Sequence, residues 1–356
     1  MAVARKYLII GLISAAAVAL PVFIALSQYN SLPFSPFSTP SPSASTKELR
    51  IALVTDAVFT DQGWGTAAYN AGKSLESKYG YQVTFADHVE IADIESTLQK
   101  YAASNYDLII AHGYQWGDPA IRVAKQYPNV KFVVFTGLVK ANNVASIFPM
   151  QQEGSFLLGA LAGMMTKTNV IGYVGGDEYP NVINIFEGYK QGARMVNPDV
   201  KIVGTYLSDW NNPDKGKEAA TSLIKTQKAD FLLHVADTSG HGVIQAAENN
   251  GIYAFGAVGD QSNLAPYTVL TSFVVDIDKS YDGIVQSVVN GTFHGEIFKP
   301  GIEAGKGSPG DGIVFIAPFH ELDDKVPQNA KVKLQELIQG LLDNKIQVPE
   351  RESPTS

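Results

Sequence analysis

Short apolar runs rich in β-branched residues recur along this chain, separated by stretches with apolar residues at helical spacing, and the whole pattern occurs twice. The first set is LRIALV (49–54), YQVTFA (81–86), DLIIAH (107–112), KFVVFT (131–136) and VASIF (144–148). The second is VIGYVG (170–175), VKIVGTY (200–206), ADFLLHV (229–235), IYAFGAV (252–258) and TVLTSFVV (268–275). Runs this continuously apolar suit strands buried on both faces of a parallel sheet. The segments between them, such as WGTAAYNAGKSLESKY (64–79) and DIESTLQKYAAS (93–104), carry helical periodicity. Two successive arrays of this kind predict an α/β protein with two doubly wound parallel-sheet lobes. A length of 356 residues agrees with two domains. The cleft between two such lobes is the natural ligand site, walled by the loops that leave the carboxyl ends of the strands.

Ahead of the first array, Arg5 and Lys6 precede an uncharged apolar run from Tyr7 to Leu26. That run is long enough to cross a bilayer as a helix, so residues 1–27 are expected to form a membrane anchor, or a signal cleaved near Ala15–Ala19. The basic end then stays in the cytoplasm and everything after Leu26 lies outside. Residues 28–48 are dense in Pro and Ser and read as an extended tether. A formal net charge of −8 argues against a nucleic-acid partner. The chain has no cysteine, which excludes disulfides, thiolate metal sites, a cysteine nucleophile and a lipid anchor on cysteine. Asn290-Gly291-Thr292 is a weak glycosylation sequon.

The post-strand loops hold all three tryptophans, Trp64, Trp116 and Trp210, joined by Phe59, Tyr114 and Tyr179. Core rings belong within strands and on buried helix faces, so aromatics gathered in these loops point to flat faces presented across the cleft to a flat ligand. The same loops are acidic, with Asp56, Asp61, Asp118, Asp177, Glu178, Asp209, Asp237 and Asp260 at or just past strand ends and Lys140 as the exceptional cation. Carboxylates accept hydrogen bonds and repel phosphate, so the ligand should offer N–H or O–H donors and carry little negative charge. Asp61, Asp118 and Asp209 suit helix caps, whereas Glu178, Asp237 and Asp260 suit ligand contacts.

Enzyme readings fit less well. Gly63-Trp64-Gly65-Thr66-Ala67-Ala68 matches the glycine pattern of a dinucleotide-binding turn, and Asp87 stands where a ribose-binding acid would. Yet the glycines do not directly follow the first strand, and Trp64 fills the space where backbone must approach pyrophosphate. The stretch 301–307, GIEAGKG, is one residue too short for a P-loop and lacks the Ser or Thr after its lysine. The six histidines show no metal-ligand spacing, and Asp237, Ser239 and His241 are too close in sequence for a catalytic triad. Neither a cofactor nor a catalytic residue is expected.

Several longer segments are more specific: Asp61-Gln62-Gly63-Trp64, AASNYDLIIAHGY (102–114), KFVVFTG (131–137), NVASIF (143–148), EGSFLLGALAGMMTKTNVIGYVGG (153–176) and GYKQGARMVNPDVKI (188–202). Through these, residues 49 to about 345 resemble the basic-membrane-protein family of ABC-importer solute-binding lipoproteins, which includes purine nucleoside receptors. The resemblance implies a type I periplasmic-binding-protein fold, with one lobe from 49–148 plus 273–310 and the other from 149–272 plus 311–350. The hinge crossings would lie near 148–152, 270–274 and 300–312. It implies capture of a purine nucleoside or base by a monomer that delivers it to an ABC permease, with a sugar as the alternative ligand of the same fold. Trp64 matches a base-stacking position, although Gly65 replaces the family's asparagine. Of the family's two ribose-binding acids only Asp260 remains, in Gly256-Ala257-Val258-Gly259-Asp260, and Val274 stands where a ribose-binding lysine is expected. The lipobox cysteine is missing, and the anchor and tether can replace it. The expected ligand contacts are thus Phe59, Trp64, Tyr114, Glu178, Trp210, Asp237 and Asp260.

Overall fold

A computed structural model describes residues 49–302 and 312–351. The expected anchor (1–27), the tether (28–48) and most of the 301–307 turn lie outside the described residues, among which no helix is long and apolar enough to cross a membrane.

All ten apolar runs become strands. The first array is β1 (Arg50–Thr55), α1 (Trp64–Tyr79), β2 (Gln82–Ala86), α2 (Ile94–Ala103), β3 (Leu108–His112), α3 (Gly117–Ala124), β4 (Lys131–Phe135) and β5 (Val144–Ile147). The chain then enters the second array: α4 (Gln151–Met165), β6 (Val170–Gly175), α5 (Pro180–Val196), β7 (Lys201–Tyr206), α6 (Pro213–Lys225), β8 (Phe231–Val235), α7 (Asp237–Asn250), β9 (Tyr253–Val258) and β10 (Val269–Val275). It returns through α8 (Ile277–Val289) and β11 (Ile297–Phe298), and finishes with β12 (Val314–Ile316) and α9 (Gln328–Leu342).

The two sheets have equivalent orders, β2-β1-β3-β4-β5-β11 and β7-β6-β8-β9-β10-β12. Pairing is parallel throughout except at β12, which runs antiparallel to β10. Strand order reverses between β1 and β3 and between β6 and β8, and these switch points open the crevices where ligands bind in such sheets. Every residue of β3 and of β8 is buried, as expected of central strands covered on both faces. β11 and β12 are too short, at two and three residues, to register as periodic runs.

Three chain segments pass between the lobes side by side. Phe148 N–H donates to the Phe298 carbonyl, Met150 N–H to the Pro300 carbonyl, and Asp276 N–H to the Ile313 carbonyl. β10 keeps its ladder in the second sheet through Val275, so the return crossing follows that residue and the lobe boundary expected at 273 lies three residues further on, at Asp276.

In the second lobe α4 packs along α5 at unusually close range. A Cβ at Gly192 would run into the Phe156 carbonyl, and one at Gly159 into the Tyr189 carbonyl, so only glycine permits this backbone approach. Gly192→Ala should therefore cost about 1–3 kcal/mol by overpacking, read as a lower midpoint in urea unfolding. An unchanged midpoint would mean the two helices can part freely.

Candidate functional site

A cavity lies between the lobes at the carboxyl ends of both sheets. Its void is about 490 Å³, counting the open solvent at the mouth. The first lobe contributes Asp56 after β1, Trp64 at the start of α1, Tyr114 and Gln115 after β3, and Thr136 after β4. The second contributes Gln151, Tyr179, Asn181, Trp210 after β7, Asp237 after β8, and Val258 at the end of β9. Among the described residues no lysine, arginine or histidine lines it.

The Gly-Trp-Gly loop is built around Asp61. This acid is only 3% exposed, and its carboxylate accepts from the backbone N–H groups of Gly63 (2.8 Å), Gly65 (2.7 Å) and Thr66 (3.0 Å). The free N–H groups at the start of α1, which a pyrophosphate would need, are thus already met by an internal carboxylate. A Cβ at Gly65 would collide with the Val58 carbonyl, so the second glycine lets the loop fold tightly onto itself. The expectation against a dinucleotide turn has here its physical reason.

Trp64 is held as part of a ring stack. It lies on His112 at 3.8 Å between centroids and 27° between planes, with Phe135 at 5.6 Å. The His112 Nδ1 pairs with the Tyr281 hydroxyl at 2.7 Å, which ties the platform to α8. Burial drives His112 from the usual histidine value down to about 3, so the ring beneath Trp64 is neutral at physiological pH. Across the cleft, Trp210 stacks with Tyr179 (5.9 Å, 30°), and Tyr179 meets Tyr114 of the other lobe at 5.6 Å. With the Gln261 Nε2 contact to the Gln62 carbonyl at 3.5 Å, these rings join the lobes.

Two acids face the cavity from opposite lobes. The Asp56 carboxylate accepts from Trp116 Nε1 at 3.1 Å, yet burial outweighs this bond and raises its pKa. Solvent reaches part of Asp237 through the cavity, but protein encloses the carboxyl. Burial first, then the negative charges of Asp61 and Asp56, push its pKa well above the carboxylate range. Thr136 (φ 60), Asp237 (φ 44) and Val258 (φ 68) all adopt left-handed backbone at the cavity wall. Such strain in a β-branched residue costs of order 1–3 kcal/mol and persists where the surrounding structure enforces it, as at binding sites.

Of the seven expected contacts, the cavity gathers Trp64, Tyr114, Trp210 and Asp237. Phe59 turns into its own lobe, packing on Tyr69 and Phe85 while its N–H donates to Asp87. That bond also gives Asp87 a structural task in place of a ribose contact. Glu178 is exposed beyond the cavity lining. Asp260 is engaged by His320 Nε2 (2.6 Å) and the Ser262 N–H (3.1 Å) outside the cavity, and Val274 also lies outside it. Trp116 is a fully buried core ring whose indole N–H fixes Asp56. Asp209 is not a cap: α6 is capped by Asn212, whose side chain accepts from the Lys215 N–H, and Asp209 pairs with the Lys215 ammonium. Tyr179 and Asp56 were visible as loop residues, whereas Gln151 and Asn181 carried neither a charge nor a ring to mark them. Among the described residues no group of His, Asp or Glu is placed to hold a metal.

Comparison with known proteins agrees with this architecture. Residues 48–341 match the family described as ABC transporter substrate-binding protein PnrA-like. A Brucella abortus protein named purine-binding protein is 30% identical over 80% of this chain and 79% of its own length. The Bacillus subtilis transcriptional activator protein med is 29% identical over 69% of this chain and 77% of its own. Among solved structures, an ABC transporter solute-binding protein from Aeropyrum pernix superposes with a TM-score of 0.76 at 21% identity, covering 85% of this chain and 94% of that one; it bears on the fold alone. With the family match spanning nearly the whole described chain, the protein belongs to the PnrA-like family of ABC transporter substrate-binding proteins.

Proposed function

We propose that this protein captures a purine, as free base or nucleoside, between its lobes outside the cytoplasmic membrane and delivers it to an ABC permease. The observation that carries the reading is the ring arrangement: aromatics from both lobes line one cavity together with two carboxylates and no cation. Flat π-faces take a flat ring, carboxylates take its N–H groups, and the same carboxylates repel a phosphate. The name of the Brucella abortus relative supports a purine in particular. In this reading Trp64, Tyr114 and Trp210 stack against the ligand and Asp237 accepts from it. Phe59, Glu178 and Asp260 have no contact to make. The anchor and tether of residues 1–48 would hold the binding domain at the outer membrane face, and the protein acts as a binder, not an enzyme.

Intrinsic tryptophan fluorescence is the direct test, because Trp64 and Trp210 both line the cavity. Titration with adenine, hypoxanthine, adenosine and guanosine should quench or shift the emission. Trp64→Ala should weaken the responding ligand by roughly tenfold or more, the scale of a lost stacking contact. A response to ribose alone would overturn the purine reading in favour of a sugar.

A further inference from the structure

Two side-chain amides in the cavity lack partners. Gln151 is 2% exposed, and its Nε2 donates to nothing among the described residues. The Asn181 Oδ1 is also buried and accepts from nothing among the described residues. Buried polar side chains without a partner are uncommon in native proteins, because leaving one unpaired forfeits its hydration without return. Other buried orphan atoms exist in the chain, among them Tyr189 Oη and the ring nitrogens of His234, but of all these only Gln151 and Asn181 line the cavity.

Their positions are informative too. Gln151 opens α4, directly after the first crossing between lobes, where Met150 N–H bonds to the Pro300 carbonyl of a neighbouring crossing segment. Asn181 is the second residue of α5, beside Tyr179 and facing the same cavity. One is an idle donor and the other an idle acceptor, set among two carboxylates. Stacking alone does not distinguish one flat ring from another, and this pattern would.

We propose that Gln151 and Asn181 determine ligand specificity, Gln151 donating from Nε2 to a ring nitrogen or carbonyl of the base and Asn181 accepting from one of its N–H groups. The inference rests on the purine reading and adds the contacts that read the base. A flat hydrocarbon of similar shape satisfies neither amide, and an indole, which has an N–H but no acceptor, leaves Gln151 unmatched; both are disfavoured. Because Gln151 stands on the crossing, its contact also places the ligand against the segment about which the lobes move.

The test is isothermal titration of the full-length protein, wild type, Gln151→Met and Asn181→Leu, with adenine, hypoxanthine, adenosine and guanosine. The best-binding purine is then compared with its 1-, 3- and 7-deaza analogues, which replace one ring nitrogen by C–H. Each variant should bind that purine roughly ten- to hundredfold more weakly while melting no lower than wild type, since the orphan atom has been removed. One deaza analogue should cost the wild type about tenfold and cost Gln151→Met nothing, an outcome that a purely structural role would not produce. If wild type binds purines and Gln151→Met binds and discriminates them equally well, the inference falls while the purine reading stands. If wild type binds no purine, the reading itself falls and takes the inference with it.

Discussion

Asp237→Asn should raise the melting temperature of the ligand-free protein at pH 7 by several degrees while weakening purine capture roughly tenfold or more. The Asp237 carboxyl is enclosed, and its pKa is held well above the usual range by burial, then by Asp61 and Asp56. An acid whose folded pKa is raised binds its proton more tightly folded than unfolded. Stability therefore falls as pH rises from the ordinary carboxylate range to the raised value, and above both the folded protein bears the whole penalty. Asparagine removes the charge, keeps the shape, and tolerates the left-handed backbone found there (φ 44). The gain should be about 2 kcal/mol at pH 7, with each kcal/mol worth roughly 2–4 °C in a domain of this class, and it should vanish near pH 3, where Asp237 is neutral in both states. The ligand loses because an amide oxygen accepts an N–H less strongly than a carboxylate does. Thermal unfolding at pH 7 and pH 3, with a purine titration alongside, reads both effects. A variant that melts lower than wild type at pH 7 would show the carboxylate to be a structural prop.

Under the proposed function, the same electrostatics would favour a filled cleft: Asp56 and Asp237 face the cavity from different lobes, and any charge they both carry repels in the unfilled space. A ligand bearing N–H donors relieves that cost, and a phosphorylated one aggravates it. The strained strand ends at Thr136, Asp237 and Val258 stand at the carboxyl ends of the two sheets and form part of the cavity wall.

Continuous apolar runs made the ten long strands legible, most clearly central strands such as β3 and β8, since a strand buried on both faces has little choice of composition. β11 and β12 were not legible because pairing at a sheet edge needs only two or three residues, supplied by long-range register and not by local pattern. Position after a strand identified Trp64, Tyr114, Trp210 and Asp237 as cavity residues, yet it could not tell which way a loop side chain turns. Phe59 and Trp116 occupy equivalent places and turn inward, drawn by Asp87 bonding the Phe59 N–H and by Asp56 accepting from the Trp116 indole. Asp260 passed for a ligand acid because its partner, His320, lies sixty residues away. Gln151 and Asn181 sit in first helical turns, where an amide side chain is unremarkable until the fold encloses it.

Acidification from pH 6.5 to pH 4.5 should cost the protein stability through its two buried histidines, and His234→Leu should make that loss smaller by about 2 kcal/mol. His234 lies within β8, where among the described residues neither ring nitrogen makes a well-formed hydrogen bond, and burial, reinforced by the nearby His241 and only partly opposed by the Gln261 side chain, lowers its pKa to about 4. His112 is held at about 3, again mainly by burial. Both rings are neutral in the folded state through this window, while in the unfolded chain they take up protons below the ordinary histidine value of about 6.5. The unfolded state then binds more protons, so stability drops as pH falls, by about 1.4 kcal/mol per pH unit for each ring and roughly 5 kcal/mol for the pair by pH 4.5. Asp56 and Asp237 act in the opposite sense, since their raised pKa values favour the folded state as they gain protons, and they offset part of the histidine contribution. His234 is the better residue to change: leucine gives up at most a weak contact with Gln261 there, whereas replacing His112 would strand the Tyr281 hydroxyl and unseat Trp64. The measurement is the difference in urea-unfolding free energy between pH 6.5 and pH 4.5 for wild type and His234→Leu. Equal differences in the two proteins would show that His234 takes up its proton in the folded state as readily as in the unfolded chain.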